Sequence, residues 1–187
     1  MINYFTSDTH LGHSNIIKYC NRPFKTMHEM NETIIRNYNE RVKPEDVVYH
    51  LGDFCFKNSA GGKYGEGDIL NARDYEKLLN GKLILVAGNH DSNNSARSII
   101  RSLTIKYGGK TINLVHRPDH VRFDVDLNFV GHVHEKWLCK RIYHPHDTDK
   151  TRFVDCINVG VDQWNFRPIT FNEITTEYYR WKNGART

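Results

Sequence analysis

Residues 85–94 read LVAGNHDSNN. An apolar run stops at Gly88, and Asn89, His90 and Asp91 follow at once. A buried strand ending on three coordinating side chains marks a site, because ligands in α/β sheets gather outside the carboxyl ends of strands. The same pattern recurs elsewhere in the chain. It appears in YFTSDTH with Asp8 and His10, in YHLGDF with Asp53, in NLVHRPD with His116, and in NFVGHVH with His132 and His134. A lone D-x-H or H-x-H is a common surface coincidence. The whole ordered set, each member closing an apolar run, predicts one shared cleft.

The elements between these clusters alternate at first. INYFT (2–6) reads as a strand, and SNIIKYC (14–20) as a short helix capped by Ser14. Thr26 and Glu29 form a T-x-x-E capping box for a helix over 27–41, which stops before Pro44. DVVYHLGD (46–53) is a second strand, and the glycine-rich 59–68 is a loop. A helix over 72–80 closes at Gly81, LILVAG (83–88) is a third strand, and Ser95 caps a helix over 96–103. The character then changes. Residues 103–116 predict a hairpin turning at Gly108 and Gly109, and 127–132, 153–160 and 168–174 predict further strands. Residues 139–155 read as an excursion between two of them. Neither a repeat nor a linker is visible, so 1–187 is expected to be one domain with a mixed sheet system.

Composition sets the outer bounds. The chain has 187 residues, 39% hydrophobic and 26% charged, which suits a soluble globular domain. No apolar run approaches the roughly 18 residues of a membrane span, so no membrane partner is expected. The opening MINYFTSDTH has no basic segment and does not read as a secretory signal. A formal charge of +4 admits an anionic substrate without demanding nucleic acid. Cys20, Cys55, Cys139 and Cys156 form no C-x-x-C pair, so they read as reduced thiols of a cytoplasmic protein. Eleven histidines is a high count, and several close apolar runs.

The residue types suit two divalent cations about 3.5–4 Å apart, which activate water and clamp the oxygens of a displacement at phosphorus. Such a pair needs a bridging carboxylate, and Asp53 is the candidate. A mixed imidazole, carboxylate and amide set suits Mn²⁺ foremost, with Fe, Zn²⁺ or Ni²⁺ as alternatives. The ordered set D-x-H, G-D, G-N-H-D, H and G-H-x-H resembles the calcineurin-like metallophosphoesterase superfamily. It spans residues 8–134, and INVGVD (157–162) extends it. SDTHLGHSNI, NRPF and NVGVD are similar to its small, single-domain bacterial and phage members.

That resemblance implies an α/β fold: a two-sheet β-sandwich flanked by helices, in four αββα layers, with a dinuclear site at one sheet edge. One metal would be held by Asp8, His10, Asp53 and His134. The other would be held by Asp53, Asn89, His116 and His132. A hydroxide bridging the metals would attack phosphorus. His90 would serve as general acid or phosphate clamp, and Asp91 would orient it or cap the following turn. Asn89, His13, Arg22 and Arg117 are the candidates for the substrate side. The family often has Gly-His at the fifth ligand position, whereas this chain has Val115-His116-Arg117.

The expected activity is hydrolysis of a phosphodiester, cyclic or nucleotide substrates included. A broad phosphomonoesterase is the first alternative. A nuclease is not favoured, since no long basic stripe or stacking module is visible. A non-catalytic metal-binding scaffold, the role of a retromer coat subunit among the relatives, is the remaining class. His28, His120, His144 and His146 close no apolar run and read as solvated or locally bonded. Trp164, Tyr178 and Trp181 read as core or rim.

Overall fold

Central strands buried on both faces, such as 127–130 and 153–158, build two sheets here, and one end of both carries the polar clusters. The computed structural model describes residues 1–56, 70–91 and 98–184. Asn3–Thr6 (β1) sends Phe5 into the space between the sheets and Tyr4 to the opposite face. Val47–His50 (β2) and Lys82–Leu85 (β3) pair parallel beside it, in the order β3-β2-β1. Ile169–Thr170 (β9) closes the other edge antiparallel.

The second sheet runs β4-β5-β6-β8-β7. Its strands are Ser102–Tyr107 (β4), Lys110–Val115 (β5), Leu127–Val130 (β6), Cys139–Tyr143 (β7) and Phe153–Asn158 (β8). The three central strands β5, β6 and β8 are mutually parallel, with antiparallel edges. The fold class is therefore as expected, with two mixed sheets face to face and flanking helices. Phe5, Leu51, Ile112, Leu114, Leu127, Phe129 and Ile157 fill the space between them. At about 25 cal/mol per Å² of apolar surface removed from water, this layer is the main favourable term in folding.

Ser14–Tyr19 (α1), Met27–Asn39 (α2) and Ala72–Lys77 (α3) cover the outer face of the first sheet through Ile16, Met30, Ile34, Tyr38 and Tyr75. The outer face of the second sheet is covered by Val121, Phe123 and Val125, which follow a 3-10 turn at Pro118–His120. Phe171–Lys182 (α4) adds Ile174 and Tyr178 to the core between the sheets. Among the described residues no helix is long and apolar enough to cross a membrane.

Several boundaries differ from the sequence expectations. Ser14 is the first residue of α1, and His13 precedes it without a side-chain cap bond. Thr26 does cap α2, but the Glu29 carboxylate accepts the N–H of Lys25 at 2.8 Å, not that of Thr26. The α2 helix ends at Asn39, and α3 ends at Lys77, three residues before the expected close. Gly81, at φ +84°, instead turns the chain into β3. The helix expected over 96–103 does not form where it is described: residues 98–100 are in no regular element and Ser102 opens β4. Ser95 and the loop 59–68 lie outside the described residues.

Residues 168–174 are not one strand either. Thr170 ends β9 and caps α4, accepting the Glu173 N–H while Glu173 accepts its own. The stretch 139–155 is not an excursion, since Cys139–Tyr143 pairs antiparallel along β8. The β4–β5 hairpin is as expected, with Gly108 and Gly109 both at positive φ between Tyr107 and Lys110. Two residues in that conformation match the twist of the flanking strands. None of the four cysteines is in a disulfide.

Candidate metal centre

The six mutually parallel strands, β1–β3 and β5, β6, β8, end at one rim where the sheets are stitched together. Ser7 bridges Gly160 in parallel, and Val161 N–H donates to Ser7 C=O at 3.0 Å. Every cluster singled out in the sequence follows one of these strands. Asp8 and His10 follow β1, Asp53 follows β2, Asn89 to Asp91 follow β3, His116 follows β5, and His132 and His134 follow β6.

Ligand atoms of Asp8, His10 and His134 lie within 4.8 Å of one another, as do those of Asp53, His116 and His132. Asp53 Oδ2 stands between the groups, 3.5 Å from His10 Nε2 and 3.4 Å from His116 Nε2. Asn89 Oδ1 lies 3.0 Å from His116 Nε2.

The local backbone is built around this convergence. Asp8, His10, Asp53, His132 and His134 all have φ between +47° and +70°. Left-handed backbone costs a non-glycine residue about 1–3 kcal/mol, and it clusters where surrounding contacts over-determine it. Here those contacts are visible. The Asp8 carboxylate accepts His132 N–H at 2.9 Å, and Asp53 Oδ1 accepts His90 N–H at 2.9 Å. Gly131 lets the strands close up: a Cβ there would come within 2.1 Å of Ser7 Oγ and 2.5 Å of Asp8 Oδ2.

Two further observations fit these residues to a pair of cations. His10 Nε2 is buried without a hydrogen-bond partner, facing Asp53 and Asp8. His116 gives its Nδ1–H to Leu51 C=O at 2.7 Å, which turns Nε2 toward two oxygen acceptors, Asp53 Oδ2 and Asn89 Oδ1. Acceptors converge like this around a positive charge.

Residues 1–161 match the calcineurin-like phosphoesterase superfamily domain. The chain belongs to this superfamily. It is 36% identical over 175 residues to an uncharacterized protein of Methanocaldococcus jannaschii, covering 91% of this chain and 88% of that one. A solved structure of a protein of unknown function from Aquifex aeolicus is 27% identical, with 94% and 98% of the two chains covered and a TM-score of 0.63. Wild-type Vps29 from Entamoeba histolytica, solved with zinc, is 17% identical over 86% of this chain and 74% of its own, with a TM-score of 0.41.

Charge in this candidate centre is balanced internally. Burial pushes the Asp8 carboxyl up. Burial also opposes ionisation of Asp53, but the His116 and His10 imidazoles outweigh it and hold that carboxyl well below the usual range. Burial works against protonation of His116, yet the bond to Asp53 and the Asp8 charge raise its pKa to about 9. Against the same burial, the bond to Asp162, with Cys20 and Asp8 adding, raises His134 to about 10. Both imidazoles are thereby biased toward the protonated form, and a cation entering at Nε2 of either would displace the proton there, while each Nδ1–H stays with Leu51 C=O or Asp162.

The remaining expected residues are distributed unevenly. His90 and Asn89 are exposed at the mouth. Asp91 is buried, and its oxygens accept the N–H groups of Gly88, Asp53 and Phe54 at 2.8–3.0 Å, which locks the Asp53 turn. That bonding is a different task from orienting the His90 ring. His13 is buried rather than on the substrate side. Its Nδ1 lies 3.4 Å from His10 Nδ1, and its ring stacks on Phe56 at 4.3 Å. Burial, then the His90 and Arg22 charges, lower its pKa to about 4, so it is neutral and can accept the His10 Nδ1–H.

Arg22 corrects an expectation. It is buried behind the ligands and donates to Asp162, Asp8 C=O and Thr9 C=O, so it does not reach a substrate. Arg117 is half-buried and pairs with Asp119.

Asp162 was missed as a site residue, although NVGVD closes β8 in the same strand-end pattern. It accepts His134 Nδ1–H at 2.9 Å and also binds Arg22, so it sets the tautomer and direction of that ring. His50 was missed as well. It is wholly buried, bonding Thr9 Oγ1 at 2.9 Å under the β1–Asp8 turn. Thr9 spends its hydroxyl proton on Phe54 C=O, so His50 is the donor through Nε2.

Proposed function

We propose that this superfamily member is a phosphoesterase working with two divalent cations, Mn²⁺ foremost, on small or nucleotide phosphodiesters, cyclic ones included. The observation that supports it is the place of Asp53 Oδ2, at 3.5 and 3.4 Å from imidazole nitrogens of the two separate ligand groups. In this reading Asp8, His10 and His134 hold one ion, and Asn89, His116 and His132 the other, with Asp53 shared. When bound, such cations act as Lewis acids toward phosphoryl oxygens and make water a nucleophile near neutral pH. Asn89 contributes an uncharged oxygen, which limits the negative charge on its side. His90 stands at the exposed mouth, 5.4 Å from the His10 ring, and protonates the leaving oxygen. Asp91 keeps the Asp53 and His90 turns in register through its backbone bonds. The exposure of Asn89 and His90 supports an open face with room for both ester groups of a diester. Cysteines outside any disulfide support a cytoplasmic setting.

The deciding experiment compares bis-p-nitrophenyl phosphate with p-nitrophenyl phosphate on Mn²⁺-loaded protein. Faster diester hydrolysis is expected. A clear monoester preference overturns the diester assignment in favour of a broad phosphomonoesterase. Retained metal with no hydrolysis across a phosphoester panel favours the scaffold reading.

A further inference from the structure

A cleft of about 510 Å³ opens beside the metal centre and shares Asn89 and His116 with it. That volume lies in the range of small-ligand sites. Ala87, Val115 and Ile99 give it apolar walls, and among the described residues its basic lining is Arg101, Arg117 and His120, with no acidic side chain. Arg117 pairs with Asp119 through Nε and Nη2, so the Nη1 edge of its guanidinium is left by that bond and the group is held in one orientation. Arg101 is exposed and has no ion-pair partner among the described residues.

The walls are also fixed. The segment carrying Arg117 and His120 is tied down where Asn128 accepts Arg122 N–H at 3.0 Å and donates to Arg122 C=O at 2.9 Å. Asn128 is itself held by Asn113 at 2.8 Å within the sheet. The opposite wall is fastened to β3 and its continuation, where Ala87 N–H donates to Ile100 C=O at 2.7 Å and Ser98 Oγ to Leu85 C=O. A preformed, positively lined cavity next to a reaction centre selects an anionic group at low ordering cost.

We infer that this cleft binds a second phosphate of the substrate, away from the phosphate being cleaved, so that the enzyme prefers a phosphoester carrying another phosphate, as in a nucleoside bisphosphate. Arg101 and Arg117 grip that phosphate, and the exposed Ile99 packs against the group joining the two. The inference rests on the phosphoesterase reading of the adjoining centre.

The test compares AMP with adenosine 3′,5′-bisphosphate, as inhibitors of bis-p-nitrophenyl phosphate hydrolysis by the Mn²⁺-loaded protein and as ligands in isothermal titration. Charge-assisted bonds to a second phosphate should make the bisphosphate about ten- to a hundredfold tighter. In Arg101→Gln/Arg117→Gln that ratio should collapse toward one. In Arg180→Gln, which removes a cation on α4 away from the cleft, it should persist. Equal affinity of the two nucleotides for the unaltered protein overturns the inference, and so does a preference that survives the double substitution. If diester hydrolysis is present and the ratio is one, only the cleft assignment fails. If no phosphoester is hydrolysed, the phosphoesterase reading fails, and titration still decides the cleft by the same ratio.

Discussion

Asp162 and His134, twenty-eight positions apart, share a hydrogen bond of 2.9 Å, and the other oxygen of Asp162 is held by Arg22 Nε at 2.8 Å. The carboxylate therefore fixes His134 with Nε2 facing Asp8, 3.8 Å away. It also neutralises a guanidinium that is fully enclosed. Asp162→Asn should weaken metal binding about 10- to 100-fold, the usual cost of losing a carboxylate behind a ligating histidine. Because Arg22 loses its ionic partner, metal-free stability should also fall by about 3 kcal/mol. Metal titration on the folded protein, with urea unfolding in chelator, separates the two effects. Unchanged affinity would remove Asp162 from the support of the site.

Asp53→Asn keeps the shape of the side chain, and asparagine tolerates the left-handed backbone at this position, where φ is 53°. The fold should persist while the shared charge is lost. Elemental analysis should show metal content falling below two ions per chain, and hydrolysis should be abolished. Two ions retained per chain would contradict the bridging assignment.

His90→Ala leaves in place the backbone N–H that binds Asp53 Oδ1. Metal content should stay the same, while turnover should fall by about 10²–10⁴, the reach of general acid catalysis. The loss should shrink with esters whose leaving group needs no proton. An undiminished rate on a poor leaving group would take His90 out of the mechanism.

His50 supplies a pH dependence of stability. Burial, with the His116 charge adding, lowers its pKa to about 3. An unfolded histidine titrates near 6.5. Between these values the unfolded chain binds a proton that the folded chain refuses, so stability falls as pH drops below about 6.5. The slope from this one group is about 1.4 kcal/mol per pH unit. His50→Gln keeps a donor for Thr9 and cannot titrate. Urea unfolding in chelator at pH 7.5 and 5.0 should show the variant gaining about 2 kcal/mol on the unaltered protein over that interval. A difference independent of pH would contradict the assignment.

Sequence alone determined which residues stand at the rim. An apolar run and the polar group that ends it are neighbours in the chain, so Asp8, Asp53, Asn89, His116 and His134 were legible from pattern. Local chemistry misled where two signals overlapped. The alternation in PITFNEI read as a strand, although Thr170 and Glu173 carry a capping box that starts α4. Residues 139–143 carry no clean alternation of burial, and they are a strand because β8 offers its edge to pair with. Tertiary structure alone decided the direction of side chains whose partners lie far away in sequence. Arg22 turns inward because Asp162, 140 positions on, waits there with a charge that burial makes costly to leave alone. Asp91 turns to the Asp53 backbone because buried N–H groups must find an acceptor, and those of Asp53 and Phe54 find its two oxygens.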